Sequence, residues 1–144
     1  MRFGRTGQTI AAALATVVVA TPCLGAAVVE VVVNNVRSGE GKVHAQVCSE
    51  SEFLKSCRYG ADAAAKAGST TVVVPDVPPG RYAVVAYHDR NANGKADVNF
   101  LGFPTEDVGF SHDALKGWVK PKFSDAAFDH GAETQRIALT LHRF

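Results

Sequence analysis

The chain has 144 residues, 47% of them hydrophobic and 20% charged, with a formal charge of +1. That length and apolar content suit one domain with a true core, and no apolar run is long enough for a stable membrane span. A near-neutral balance points neither to nucleic acid nor to an anionic membrane, and it excludes functions that rest on a strongly basic chain.

The N-terminus reads as a secretory leader. Arg2 and Arg5 precede an apolar run from Ile10 to Ala20, and the small residues Gly25, Ala26 and Ala27 follow. Cleavage is expected after Ala26 or Ala27, which divides the chain into a leader over residues 1–27 and one domain over 28–144. Cys23 follows Pro22 and lacks the Leu-x-small-Cys box of a lipoprotein. A soluble exported protein, periplasmic or secreted, is therefore the expectation. Loss of Arg2 and Arg5 takes the formal charge from +1 to −1. Cys48 and Cys57 remain, and an even pair in an exported domain is most simply a disulfide. Closing so short a loop stabilises by about 2.5–3 kcal/mol in the chain-entropy model. A thiolate metal site would need third and fourth ligands at suitable spacing, and none is present.

Val28 to Val36 is rich in β-branched residues and predicts a strand. Turn chemistry at Ser38-Gly39-Glu40-Gly41 then leads to a second strand over Lys42 to Cys48, a hairpin signal. Ser49 to Lys55 suits one helical turn, with Phe53 and Leu54 against the core. Tyr59 to Ser69 is alanine-rich and poorly patterned, a connection with at most a short edge strand. Thr70 to Val74 is a strand stopped by Pro75 and turned by Pro78-Pro79-Gly80. Arg81 to His88 is apolar on both faces: Tyr82, Val84 and Ala86 on one, Ala83, Val85 and Tyr87 on the other. Such a strand belongs in the middle of a sheet. Arg136 to Leu141 alternates as the last strand. No amphipathic helix of useful length appears, so the fold class is all-β, a single antiparallel β-sandwich of transthyretin-like or Ig-like type with a long structured loop segment.

That segment, Asp89 to Thr134, is too long for an unstructured connection in a compact domain. It holds five of the eight phenylalanines and the only tryptophan. Ser111 is placed to cap a turn through Leu115 that stops at Gly117. The segment opens with Asp89-Arg90-Asn91-Ala92-Asn93-Gly94-Lys95-Ala96-Asp97, in which side-chain oxygens alternate around a glycine as calcium loops require. The ligand set is Asp89, Asn91, Asn93, the Lys95 carbonyl and Asp97, with Glu106 completing it. The twelfth position of a full EF-hand loop, a bidentate glutamate, is here Phe100. With two carboxylates in the loop, affinity belongs in the weak extracellular range, about 10⁻⁴ to 10⁻³ M. The alternative is a tight turn in which Asn93-Gly94 takes positive φ and Asp89 and Asn91 bond neighbouring amides.

The chain resembles a bacterial exported family known only as domain of unknown function number two thousand one hundred and forty-one. The residues that carry the resemblance are Pro78-Pro79-Gly80-Arg81-Tyr82-Ala83, His88-Asp89 with Asn91, Asn93-Gly94-Lys95 and Asp97, and Asn99-Phe100-Leu101-Gly102 with Pro104 and Glu106. Gly109-Phe110-Ser111 with Ala114, and Pro121 with Phe123 and Asp125-Ala126-Ala127-Phe128, add to them. The resemblance implies a periplasmic or secreted β-sandwich and brings no activity, substrate or catalytic residue.

Two classes of function remain open. One is a non-catalytic module that binds a protein, glycan or small ligand through the long segment, with Phe103, Phe110 and Trp118 as a platform and calcium as the only cofactor. The other is a metal-dependent enzyme built on His88 with Asp89, Glu106, His112 and Asp113. Against the second, His88 continues the face of Tyr82, Val84 and Ala86, which suits a buried histidine bonded to the long loop. Ser111 lacks the Gly-x-Ser-x-Gly elbow of a serine nucleophile. His44, His130 and His142 stand alone and are assigned no role.

Overall fold

The structure, a computed structural model, describes residues 4, 15–17 and 25–143. Most of the leader expected over residues 1–27 lies outside them. The described chain is a β-sandwich. One sheet has the order β4-β1-β8, formed by β4 (Gly68–Val77), β1 (Ala27–Val36) and β8 (Gln135–Thr140). The other has the order β3-β2-β5-β6, formed by β3 (Tyr59–Ala64), β2 (Lys42–Cys48), β5 (Gly80–Asp89) and β6 (Val108–Phe110), and β7 (Phe128–His130) also pairs with β5.

The alternation read in the sequence produces the inner faces. Val29, Val31 and Val33 of β1, Val43, Ala45 and Val47 of β2, and Val72 and Val74 of β4 meet Leu139, Tyr82, Val84 and Ala86 in the main core. Each such valine, fully buried, contributes about 1.5–3 kcal/mol of transfer free energy. The alanine-rich stretch forms β3, a full edge strand paired along the length of β2. β4 extends three residues past Val74, because at the sheet edge Pro75 needs no ladder partner and a register shift there admits Asp76 at φ 56°. One pairing departs from the antiparallel expectation: β8 runs parallel to β1 from Val29↔Gln135 to Asn34↔Thr140. A parallel neighbour needs a long crossover, and the long segment supplies part of that path.

β5 is buried on both faces, as its sequence requires. Its second face carries Ala83 and Val85 into a separate cluster with Cys48, Phe53, Phe110, Ala114, Ala126 and Phe123. Phe53 packs edge-on against Phe110 and Phe123, with ring centroids 5.9 and 5.8 Å away. Cys48 and Cys57 are disulfide-bonded, their Cα atoms 5.0 Å apart, which ties the turn bearing Phe53 to β2. The outer edge of β5 pairs with β7 at residues 80–82 and with β6 at 85–87, leaving Val84 between them. Ser111 fills that gap: its Oγ accepts from the Val84 N–H at 2.9 Å and donates to the Ala126 carbonyl at 2.6 Å. Ser111 is thus a buried bridge and not the helix cap expected of it. It opens one 3₁₀ turn, Ser111–Asp113, in which His112 and Asp113 take positive φ, and no side-chain cap is made. A one-turn helix, α1 (Phe123–Ala126), follows.

The long segment is pinned to the end of the sandwich by Asp107, a residue that the sequence does not single out. Asp107 is almost fully buried between two half-exposed arginines. Arg143 Nε lies 2.9 Å from its Oδ1 and donates a hydrogen bond. Arg37 Nε lies 3.0 Å from Oδ2 as an ion pair without hydrogen-bond alignment. The Asp107 carbonyl also accepts from His88 N–H. One carboxylate therefore joins the β1–β2 turn, the long segment and the chain end. Arg37→Ala combined with Arg143→Ala leaves it buried without a counter-charge and is expected to cost about 3–5 kcal/mol. Either single variant should cost much less than half of that, because the remaining arginine still compensates the charge. Urea unfolding of the four proteins measures the coupling; small additive losses would show that the carboxylate reaches water.

Candidate functional site

The loop from Asp89 to Asp97 leaves β5 at the sandwich end where Gly41 lies beside it. A Cβ on Gly41 would sit 2.1 Å from the Asp89 carbonyl oxygen, so only glycine lets the β1–β2 turn approach this closely. The buried Asp89 carboxylate accepts from Asn93 N–H at 3.1 Å through Oδ1 and from Gly94 N–H at 2.8 Å through Oδ2. Gly94 takes φ 75°, the conformation expected at the Asn-Gly turn. Asn91 Nδ2 donates to Asp97 Oδ2 at 2.8 Å, and Asn93 Nδ2 donates to both Asp97 oxygens at 2.8 and 3.0 Å. Asn93 Oδ1 accepts from Lys95 N–H, and Glu106 Oε2 accepts from Asp97 N–H at 3.4 Å. The geometry is a turn closed on its own side chains, with the asparagine amides donating to Asp97.

Three of the six residues of the expected calcium set, Asn91, Asp97 and Glu106, line one open cleft of about 380 Å³ with Glu40, Arg90 and Thr105. Lys95 lines a different one, with Tyr87 and Val108. Among the described residues no three His, Cys, Asp or Glu side chains are placed to hold one metal ion. The carboxylates nevertheless feel one another. Burial foremost, with the charges of Asp89 and Asp97 added, raises the Glu106 carboxyl above its ordinary value. Hydrogen bonds from Asn93 and then Asn91 lower that of the half-buried Asp97. Burial, aided by the charges of Asp89, Asp62, Glu106 and Asp97, pushes the Tyr87 hydroxyl up to about 12, so it stays protonated at neutral pH.

Among the described residues, those of the enzyme alternative do not come together as one metal-holding group. His88 is buried, and its Nε2 donates to the Glu40 carbonyl at 2.8 Å while Nδ1 is enclosed without a hydrogen-bond partner. The ring therefore bonds the β1–β2 turn, and only the His88 backbone bonds the long segment. His112 donates from Nε2 to the Ala127 carbonyl, and Asp113 accepts from Thr140 N–H. His130, given no role above, is buried between the Val77 carbonyl and Gln135 Oε1.

The aromatic platform divides. Phe110 is core, packed against Phe53, because β6 turns it onto the second face of β5. Phe103 and Trp118 stay exposed and meet edge to face, with centroids 5.6 Å apart and planes at 87°. Phe100, Leu101 and Val119 beside them are exposed as well. The sequence signal for Phe100-Leu101 was their enclosure between Asn99 and Gly102, which marks a tight turn with an apolar tip.

Residues 31–138 match the model of a family described as "Uncharacterized protein conserved in bacteria (DUF2141)". The chain belongs to this family. No curated protein and no solved structure matches it. The matched span runs from β1 into β8 and so contains the whole long segment, with the loop at Asp89 and the exposed residues Phe100, Leu101, Phe103, Trp118 and Val119.

The raised Glu106 carboxyl gives a signed prediction. Its ionised form is disfavoured in the fold, so it subtracts stability at neutral pH. That loss is recovered as pH falls through the raised folded-state value to the ordinary 4.5. Glu106→Gln keeps an acceptor for Asp97 N–H and should raise the melting temperature at pH 7, while flattening the gain on acidification. Melting curves at pH 7 and pH 5 check this; a lower melting temperature at pH 7 would mean that the negative charge itself holds the loop.

Proposed function

We propose that this chain is a non-catalytic exported binding module, in which the sandwich is a scaffold, the long segment carries the recognition surface, and the Asp89–Asp97 loop takes calcium weakly as a brace. The observation that carries this reading is the distribution of polar and apolar groups along the long segment. Its buried polar groups, Asp89, Glu106, Asp107, Ser111 and His130, all make bonds within the fold, whereas its apolar side chains at residues 98–103 and 118–119 face water. A surface with that division recognises a partner and offers no assembled nucleophile, acid or base.

Export is supported by the leader pattern and by the Cys48–Cys57 disulfide, which persists in oxidising compartments. Calcium is supported by the cleft that gathers Glu40, Asn91, Asp97 and Glu106, where the charges of Asp89 and Asp97 add to burial in raising the Glu106 carboxyl. To bind, the ion must displace the amide donors that now satisfy Asp97, which keeps the affinity weak.

Ten millimolar calcium against a Kd of about 10⁻⁴ to 10⁻³ M should stabilise by about 1.4–2.7 kcal/mol, a shift of several degrees in the melting curve. Asp97→Asn should abolish the shift. Asp89→Ala should abolish it and lower the starting stability too, since Asn93 and Gly94 lose their acceptor. Magnesium should do less, because it holds its waters in a tighter octahedron. A wild-type curve unmoved between EDTA and calcium would remove the brace from this proposal. Capture of envelope components by wild type and equally by Phe103→Ser with Trp118→Ser would remove the recognition surface.

A further inference from the structure

Among the described residues, six of the nine exposed large apolar side chains fall on two neighbouring turns of the long segment. Phe100 is 95% exposed and Leu101 65%, at the tip of a turn closed by the Val98↔Pro104 bridge. Trp118 is 68% exposed and Val119 72%, in a turn closed by the Lys116↔Val119 bridge. The Phe103–Trp118 contact holds the two turns side by side. Both are internally braced. Asn99 Oδ1 accepts from Leu101 N–H at 2.9 Å and from Phe103 N–H at 3.0 Å, and Gly102 and Gly117 take the positive φ that such reversals need. Apolar side chains held outward by their own backbone mark a surface built for contact.

Charge decides what the surface meets. Lys116, Lys120 and Lys122 are exposed around Trp118 and Val119, and Arg143 lies beside Trp118. The cleft beside Val119 is lined by three lysines and one acid, Asp125, whose bond from Lys122 N–H leaves it charged, so cations outnumber acids there. A neutral glycan would stack on the aromatic pair without any use for cations. An anionic lipid surface uses both features, since phosphates attract the lysines while tryptophan, phenylalanine and leucine enter the headgroup–acyl boundary. The whole-chain charge hides this cluster because acids elsewhere cancel it.

We infer that the two-turn tip docks on an anionic phospholipid surface, with Phe100, Leu101, Trp118 and Val119 entering the interface and Lys116, Lys120 and Lys122 on the lipid phosphates. The inference deepens, and rests on, the reading of the long segment as a recognition surface. It concerns interfacial contact only; no helix among the described residues is long and apolar enough to cross a membrane.

Trp118 is the only tryptophan, so its emission reports this tip in the full chain and owes nothing to the leader. Phosphatidylcholine vesicles containing phosphatidylglycerol should shift the emission to the blue and, when brominated, quench it. Pure phosphatidylcholine should not. Added salt should weaken the effect, and each of Lys116→Gln and Lys120→Gln should lower the partition constant about fivefold. Phe100→Ser with Leu101→Ser should abolish quenching while the melting curve stays that of wild type, as both side chains are exposed. Emission unmoved by either vesicle, or moved equally by both, overturns the inference. If vesicles fail but an envelope glycan or protein shifts the emission and the Phe100/Leu101 variant loses that response, lipid is wrong and the recognition surface stands. If the variant responds to every component as wild type does, the recognition surface falls as well.

Discussion

A strand that is apolar on both faces and open along one edge imposes two demands at once: cover for its second face, and partners for its outer N–H and C=O groups. β5 makes both demands, and chain that follows it in sequence meets most of them. β6 and β7 take up the edge at 85–87 and 80–82, and Ser111 supplies the missing acceptor at Val84. Phe110, Ala114, Phe123 and Ala126 cover the second face, joined by Phe53 on the turn held by the disulfide. An orphaned N–H in such a position would cost about 1–3 kcal/mol, so one serine hydroxyl is decisive there. The length of the segment between β5 and β8 follows from these tasks.

Buried charge does at the sandwich end what apolar packing does in its middle. Asp107 between Arg37 and Arg143, and Asp89 beneath the Asn93 and Gly94 amides, fix where the long segment starts and where it returns. Both carboxylates are compensated, by cations in one case and backbone donors in the other, which is the condition for holding them away from water. What stays exposed is the part of the segment that packing and pairing did not use.

That remainder is concentrated. The turn at residues 98–104 and the turn at 116–119 are each closed by a bridge and meet through Phe103 and Trp118. Held this way, their apolar tips need little ordering on contact, and less entropy is lost in binding. The cleft at Asn91, Asp97 and Glu106 lies at the root of the same excursion, so a cation there would stiffen the base from which the first tip projects.

Residue pattern by itself determined the fold class, the strands of the main core, the central position of β5, the disulfide and the tight turn at Asn93-Gly94, because each follows from local rules: alternation, β-branching, apolarity on both faces, paired cysteines, a glycine that needs positive φ. The calcium-type spacing was equally visible in the sequence, but spacing cannot say whether an asparagine turns its carbonyl or its amide inward. The fold turned both amides onto Asp97. Asp107 was one acid among fourteen until the β1–β2 turn and the chain end brought two arginines to it. Phe103, Phe110 and Trp118 look alike as aromatic residues in one segment, yet the pairing of β6 sends Phe110 into the core and leaves the other two outside. The parallel partnership of β1 and β8 was beyond local pattern for the same reason. Contacts between residues far apart in sequence depend on the path of the whole chain, and alternation records only which face of a strand is buried, not what comes to cover it.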